Sequence, residues 1–403
     1  MSWKKAKISE ICCGIYDGPH ATPPVSDDGA IFLGISNITP DGHLDLSDPK
    51  YISENDFPKW TKRVTPQAGD IVFSYEATLN LYAIIPVGFR GCLGRRMALI
   101  RPDEEKVLGK FLYYYFFSDE WRGTIAENTV IGATVDRIPL IRFPEFPVSF
   151  PSIEKQRIIA DTLSAYDDLI ENNQKQIKLL EEAAQRLYKE WFVDLHFPGH
   201  ETTHIVDGVP EGWTQCRMEN VISLNPKVSL SKEHLKQSVP MSALSTTSMI
   251  LDFNELTTTY SNAGSKFQNG DTLLARITPC LENGKTAFVS GIESSEGAVG
   301  STEYIVMREK GITPYMVYLL ARTEDFRQAA INSMTGSDGR QRAQVDKLKT
   351  LPYLKPTIQV IELFARCVEP MFIQIQTKNK QNMELKQARD RLLPKLMSGE
   401  IEV

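Results

Sequence analysis

Mostly apolar residues recur at alternating three- and four-residue steps in two stretches of the chain. In the first they are Leu163, Tyr166, Ile170, Asn173, Ile177, Leu180, Ala184, Leu187 and Trp191; in the second, Val368, Met371, Ile375, Lys378, Asn382, Leu385, Arg389, Leu392 and Leu396. This spacing is the a/d seam of helices that pack on one another. Asn173 and Lys378 are polar residues at matching seam positions, a device that fixes register at some cost in stability. The second seam is the more polar and so the weaker alone. An amphipathic helix lying on a globular core is the plainer reading, but two matched seams favour mutual packing. A seam of nearly 30 residues predicts helices of about 40 Å. Elsewhere the pattern changes. DIVFSY, AIIPVGF, MALIRP, DTLLAR, TAFVSG and EYIVMR are short β-rich runs between Gly, Pro and Asn turns. One amphipathic helix is predicted after each set, near 107–122 and 313–331. The fold class is therefore α+β.

The two seams belong to a larger duplication. Residues 151–192 align without a gap on 356–397 at an offset of 205, so that Pro151, Ala160, Ile170, Leu180, Arg186 and Leu187 recur as Pro356, Ala365, Ile375, Leu385, Arg391 and Leu392. Upstream, Tyr114, Glu120, Asn128 and Gly132 recur as Tyr318, Glu324, Asn332 and Gly336. GDIVFSY faces GDTLLAR, and Trp3 faces Trp213. The predicted order is a globular unit over 1–150, a helical region over 151–196, a linker over 197–212, a second globular unit over 213–355 and a second helical region over 356–403.

Composition narrows the class. The 403 residues are 42% hydrophobic and 24% charged, as in an ordinary folded protein, with no apolar run long enough for a membrane helix and no apolar signal segment. The six cysteines show no C-x-x-C pattern, which suits buried thiols in a reducing cytosol. Net charge is −6 and no segment is strongly basic, so binding to nucleic acid needs clustered Arg and Lys or a basic partner.

Catalytic signatures are missing. The chain lacks Asn/Asp-Pro-Pro-Tyr/Phe with a Gly-rich cofactor loop, G-x-S-x-G and H-E-x-x-H. EGAVGST (296–302) lacks the Lys of a phosphate loop. PDEEK (102–106) reads as a solvated turn. His196, His200 and His204 are evenly spaced, but Pro198 and Gly199 break any helix that would put them on one face, so this is a polar linker and no metal is expected. YYYFF (113–117) reads as core. The most suggestive polar stretch is GSDGRQRAQVDKLK (336–349), with Arg340, Gln341, Arg342, Gln344 and Lys347. Arg and Gln make bidentate contacts to guanine and adenine edges, and Lys and Arg neutralise phosphates. Its counterpart GATVDRIPLIR carries Thr134, Arg137 and Arg142; Arg95, Arg96, Arg276 and Thr278 complete the candidate DNA-binding set. Taken singly, each is equally an ordinary surface charge.

PSIEKQRIIADTLSAYDDLIENN (151–173), LLEEAAQRLYKEWFVD (179–194), PEGW (210–213) and the ending NKQNMELKQARDRLLPKLMSGEIEV (379–403) resemble the specificity subunit of Type I restriction-modification systems over essentially the whole chain. One departure is PTIQVIELF, which lacks the Glu-Gln that usually follows this proline. The resemblance implies two target recognition domains, each followed by a conserved helix, with the helices pairing as an antiparallel coiled coil of pseudo-twofold symmetry. Each domain would read one half of a bipartite, asymmetric site in double-stranded DNA, and the helices would set the spacer. Two methyltransferase subunits would dock on the helical regions and a motor-endonuclease subunit would join them. The chain itself would be cytoplasmic and non-catalytic and bind no cofactor; S-adenosylmethionine belongs on the methyltransferase subunit. Glu181, Glu182, Gln185, Lys189 and Glu190, outside the seam, are expected to face that partner. The competing readings are a protein-interaction scaffold that does not bind DNA and an enzyme with an unfamiliar active site.

Overall fold

The computed structural model describes residues 3–132, 134–336 and 340–403. They form two compact units, Met1–Leu169 with Glu384–Val403, and Ile170–Met383.

In the first unit an antiparallel sheet runs in the order Cys12–Asp17, Met97–Pro102, Ile71–Ser74, Tyr82–Ile84. A second sheet places Ala30–Leu33 between Lys50–Ile52, antiparallel, and Gly91–Leu93, parallel. Lys4–Lys7 pairs with Pro147–Phe150 and closes the domain. The second unit repeats this strand for strand: Ile222–Leu224, Tyr304–Glu309, Thr272–Ala275, Thr286–Phe288 in one sheet, and Thr257–Thr259, Lys236–Val239, Ala298–Gly300 in the other, with Ser265–Phe267 added at its edge. Thr214–Arg217 pairs with Pro352–Lys355 as the closing ribbon.

The GD dipeptides show why the copies keep one geometry. Gly69 and Gly270 take φ of 89° and 90°, a left-handed turn that glycine adopts without strain. The next residue points into the sheet. Asp70 receives Arg101 Nε and Nη2, both at 2.8 Å, and the Gln67 amide at 2.7 Å. Asp271 receives Arg308 Nε and Nη2, both at 2.6 Å, and the Gln268 amide at 2.8 Å. Both carboxylates are buried, so each needs this paired, hydrogen-bonded setting.

The single helix expected in each domain is two. Gly109–Tyr115 is followed by Asp119–Asn128, and Pro314–Ala321 by Glu324–Asn332. The hydroxyls of Ser118 and Thr323 accept from the amides of Trp121 and Phe326 and start the second helix of each pair. Tyr113, Tyr114, Tyr115 and Phe116 are buried, as their core reading requires; Trp121 donates to Tyr82 Oη at 2.8 Å in the same core.

The long helices are Ile153–Phe192 and Ile358–Met397, 40 residues each, hereafter central and terminal. At 1.5 Å per residue each is about 60 Å long, not the 40 Å inferred from the seam. The seam residues run to within one residue of each helix's C-terminal end, and the extra length is the ten residues that precede them, 153–162 and 358–367. In the first unit Leu163 of the central helix shares a core with Leu396 and Met397 of the terminal helix. In the second, Ile177, Ala184 and Trp191 pack with Phe364, Val368 and Ile375, and Asn173 Nδ2 donates to Asn382 Oδ1 at 3.0 Å. Asn173 thus meets Asn382, with Lys378 half-buried beside them. Tyr166, Leu180, Leu187, Met371, Leu385 and Leu392 are half-buried along the same line. Phe364, outside the expected seam, is fully buried with ring centroids 5.4 Å from Trp191 and 4.7 Å from Phe192. Phe364→Ala is therefore predicted to cost about 3–5 kcal/mol, measured as the loss of urea stability of the Ile170–Met383 unit; a cost below about 1 kcal/mol would show that this ring does not hold the helices.

Candidate nucleic-acid interface

In each unit three connections meet at one end of the four-stranded sheet. In the second unit they follow Thr272–Ala275, precede Tyr304–Glu309 and follow Glu324–Asn332. Main-chain bonds tie them together. Arg276 N donates to Glu303 O at 2.9 Å, Ala343 N to Arg276 O at 2.8 Å and Thr278 N to Gln341 O at 3.1 Å; Thr335 and Arg342 exchange bonds of 3.1 and 2.9 Å. The first unit makes the same five bonds: Tyr75 N to Arg96 O, Ile138 N to Tyr75 O, Ala77 N to Asp136 O, and a reciprocal pair between Val130 and Arg137, all at 2.7–3.1 Å. One backbone frame is therefore built twice.

The side chains on the frame differ. Arg342 grips Glu303, with Nε 3.0 and 2.9 Å from the two carboxylate oxygens and Nη2 at 2.7 Å. These hydrogen bonds hold the Glu303 carboxyl below its ordinary range, against the opposing effect of burial. At the position equivalent to Glu303 the first unit has Arg96, whose Nε lies 3.3 Å from Glu76 Oε1. The sign of charge at this one position is thus reversed between the units. Arg276 Nε is buried without a hydrogen-bond partner, whereas Arg96 Nε, also without a hydrogen bond, has the Glu76 carboxylate as its ion-pair partner.

The candidate residues divide by environment. Arg340, Lys347, Arg95, Thr134 and Arg137 are exposed, and no ion pair engages the four cations among the described residues. Gln341, Thr278 and Arg276 are half-buried within the frame. Gln344 is turned inward: its Nε2 donates to Thr335 Oγ1 at 2.7 Å and Arg342 O at 2.9 Å, and its amide to Ser333 Oγ at 3.0 Å. Arg142 Nη2 donates to Asn128 Oδ1 at 3.2 Å. Ser337–Gly339 of the GSDGRQR stretch lie outside the described residues. The structure brings Arg276, Thr278, Gln341 and Arg342 together in one unit and Arg96 and Arg137 in the other.

Sequence reasoning missed the acids. Glu303 and Glu76 organise the corners, and Asp17 organises a neighbouring network in which Arg63 Nη1 lies 2.5 Å and His20 Nε2 3.0 Å from its carboxylate, with Tyr75 Oη 3.4 Å from His20 Nδ1. Burial and the charges of Asp17 and Glu76 push the Tyr75 hydroxyl upward. The available signal was positional: Arg96 and Glu303 both sit one residue before the matching strands.

Residues 28–182 match the family model described as Type I restriction modification DNA specificity domain. The chain is 26% identical over 383 residues to the Type I restriction enzyme MjaIX specificity subunit of Methanocaldococcus jannaschii, covering 87% of this chain and 82% of that one. It is 20% identical over 427 residues to the HindI specificity subunit of Haemophilus influenzae, covering 89% and 91%. The chain is thus similar over most of its length to Type I restriction enzyme specificity subunits, and its first half carries the match to their DNA specificity domain. Its fold is that of the S subunit from M. genitalium, with a TM-score of 0.56 over 98% of this chain and 96% of that one at 16% identity. The family match spans the first unit's three connections and the central helix as far as Glu182.

Within the second unit, Arg342 and Arg340 should behave differently despite being two residues apart. Arg342→Ala strands the Glu303 carboxylate and is predicted to lower the melting temperature of the second unit, whereas Arg340→Ala leaves it unchanged. Superimposable melting curves for the two variants would remove the structural role given to Arg342.

Proposed function

We propose that each unit reads one half of a bipartite DNA site through its three-connection corner. The observation that carries this is the repeated backbone frame with unlike side chains. One geometry used twice presents two reading heads to similar grooves, and the unlike side chains on it, with opposite charge at the Arg96/Glu303 position, make them prefer different bases. The half-sites are then asymmetric. Exposed Arg95 and Arg137 in one unit, and Arg340 and Lys347 in the other, are placed to meet phosphates or base edges. Arg342 and Gln344 act by shaping the loop that carries Arg340 and Gln341.

The central and terminal helices are proposed to pair as an antiparallel coiled coil with pseudo-twofold symmetry and to set the spacer. Two methyltransferase subunits dock on them, joined by a motor-endonuclease subunit; S-adenosylmethionine sits on the methyltransferase, and this chain, in the cytoplasm, is non-catalytic. Support comes from apolar side chains left exposed on both helices. Ile158, Leu169 and Leu179 lie on the central helix, and Ile358, Leu363 and Ile373 on the terminal one. Glu181 is withdrawn from this surface: it is buried, so the docking face expected around it rests on Glu182, Gln185, Lys189 and Glu190 alone.

Two outcomes test the proposal. In the assembled methyltransferase, Arg340→Ala should weaken discrimination in one half-site only, by about 1–3 kcal/mol or roughly 5- to 150-fold, and Arg137→Ala should act on the other. Methylation motifs that stay intact in both variants would refute the corner assignment. Second, a seven-residue block inserted after Gln174, with a matching block after Thr377, should lengthen the unread spacer while preserving both half-sites. The paired insertion is needed because a block in one helix alone slides the seam past its partner. An unchanged spacer in the mapped methylation motif would end the ruler idea.

A further inference from the structure

The long helices are related by the repeat, and at five positions in three sites the chemistry is exchanged between the copies. In the first unit Arg389 of the terminal helix donates from Nη1 to Asp167 Oδ1 of the central helix at 2.5 Å, and from Nε and Nη2 to Asp390 Oδ1 at 3.0 and 2.8 Å. Tyr114 Oη donates to the other Asp167 oxygen at 2.5 Å. The pair is nearly out of solvent, with side chains 11% and 12% exposed. At the offset of 205, Asp167 corresponds to Phe372 and Arg389 to Ala184, and at the offset of 204 found upstream, Tyr114 corresponds to Tyr318. All three are buried in the second unit, with Tyr318 and Phe372 ring centroids 5.9 Å apart. An ionic cluster in one unit is an apolar one in the other.

A second site shows the same exchange. Lys386 Nζ donates to Asp41 Oδ2 at 3.0 Å, in the loop that follows Ile35–Asn37. Burial disfavours the charge on Asp41, but its bonds from Thr39 and Lys386 outweigh this and hold its carboxyl down at about 2. The repeat counterpart of Lys386 is Glu181. It accepts from Met249 N at 2.9 Å and Ser248 Oγ at 3.1 Å, in the loop that follows Met241–Ala243. The third site is the Asn173–Asn382 bond, whose repeat counterparts are Lys378 and Ile177.

These residues matter when the wrong helix is offered. A central helix from a second copy, placed where the terminal helix lies in the first unit, brings Ala184 in place of Arg389 and leaves Asp167 buried without a counter-charge. It sets Glu181 against Asp41 and Ile177 against Asn173. A second terminal helix in the second unit is no better: Arg389 would face Phe372, Lys386 would face the amide of Met249, and Lys378 would face Asn382. A buried charge without a partner is strongly disfavoured. We propose that these polar residues are a pairing code between the two halves of the chain. Each half accepts the other and rejects a second copy of itself. Duplicated sequences otherwise invite homotypic pairing, and specificity against a near-identical competitor requires groups that are penalised in the wrong pair.

The test uses the full chain with a protease site inserted between Asp207 and Gly208, cleaved after folding. The nicked protein is unfolded in urea and refolded over a range of concentrations, and native mass spectrometry counts the fragments in each complex. Wild type should give one N-terminal with one C-terminal fragment. Asp167→Phe with Arg389→Ala copies the other unit's apolar packing, and Glu181→Gln removes the clash with Asp41; each should raise homotypic N-terminal pairs at least about tenfold. Asp167→Arg with Arg389→Asp should restore exclusive one-to-one pairing. A statistical mixture of pairs from wild type would overturn the code even if no variant refolds, and so would one-to-one pairing alone from both self-compatible variants.

Discussion

The burial of the long-helix ends inside the domain cores is the constraint from which the rest follows. In the second unit the rings of Trp191, Phe192 and Phe364 meet across the two helices at 4.7–5.4 Å from Phe364, and the same cluster continues into Met307, Val317 and Tyr318 of the domain. In the first, Leu163, Leu396 and Met397 join Phe111, Tyr115 and Trp121. Neither domain core is complete without residues from both helices. Within each unit, a helix segment packed in this way cannot slide or rotate without opening that unit's core, because close-packed interiors do not deform continuously.

That rigidity lets the reading corners vary. The strand order, the GD turns with their Asp–Arg pairs and the five main-chain bonds at the corner recur in both units. What differs sits on top of this frame. Arg96 and Glu303 occupy one position with opposite charge, and Tyr75 and Arg276 another. The frame's hydrogen bonds are made by backbone, so side chains can change sign without dismantling it. This is the physical meaning of loops that carry function on a fixed scaffold.

Much of this was legible in the sequence. The seam spacing located both helices, the offset of 205 exposed the duplication, and the β-rich runs fell on strands. The failures share a cause. Helix length was underestimated because the first ten residues of each helix, 153–162 and 358–367, precede the a/d pattern; there Ile159 and Phe364 are buried off the expected seam. The break between paired helices at Ser118 and Thr323 depends on a hydroxyl cap that an amphipathic pattern does not register. Glu181 looked solvent-facing because the groups that donate to its carboxylate, on Ser248 and Met249, are 67 and 68 residues away in the chain. Arg342 and Gln344 have the side chains of base readers, but Glu303 and Thr335 claim them, and only tertiary structure shows a donor already spent.

The acidic balance of the chain also makes sense in these terms. A net charge of −6 argues against a simple electrostatic binder. Yet acids are consumed where the fold needs them: Asp70, Asp271 and Asp167 in paired, largely buried contacts, Glu181 on backbone and hydroxyl donors, Glu303 on Arg342. The cations left exposed at the corners, Arg95, Arg137, Arg340 and Lys347, have no such partners among the described residues. Net charge counts both kinds equally, but a ligand at the corner meets only the second. A chain that binds through two small cationic corners contributes few phosphate contacts of its own, so in the proposed assembly most of the salt-dependent affinity falls to the partners and the corners supply discrimination. The pairing code serves the same division: two unlike corners specify an asymmetric site only if every molecule carries one of each.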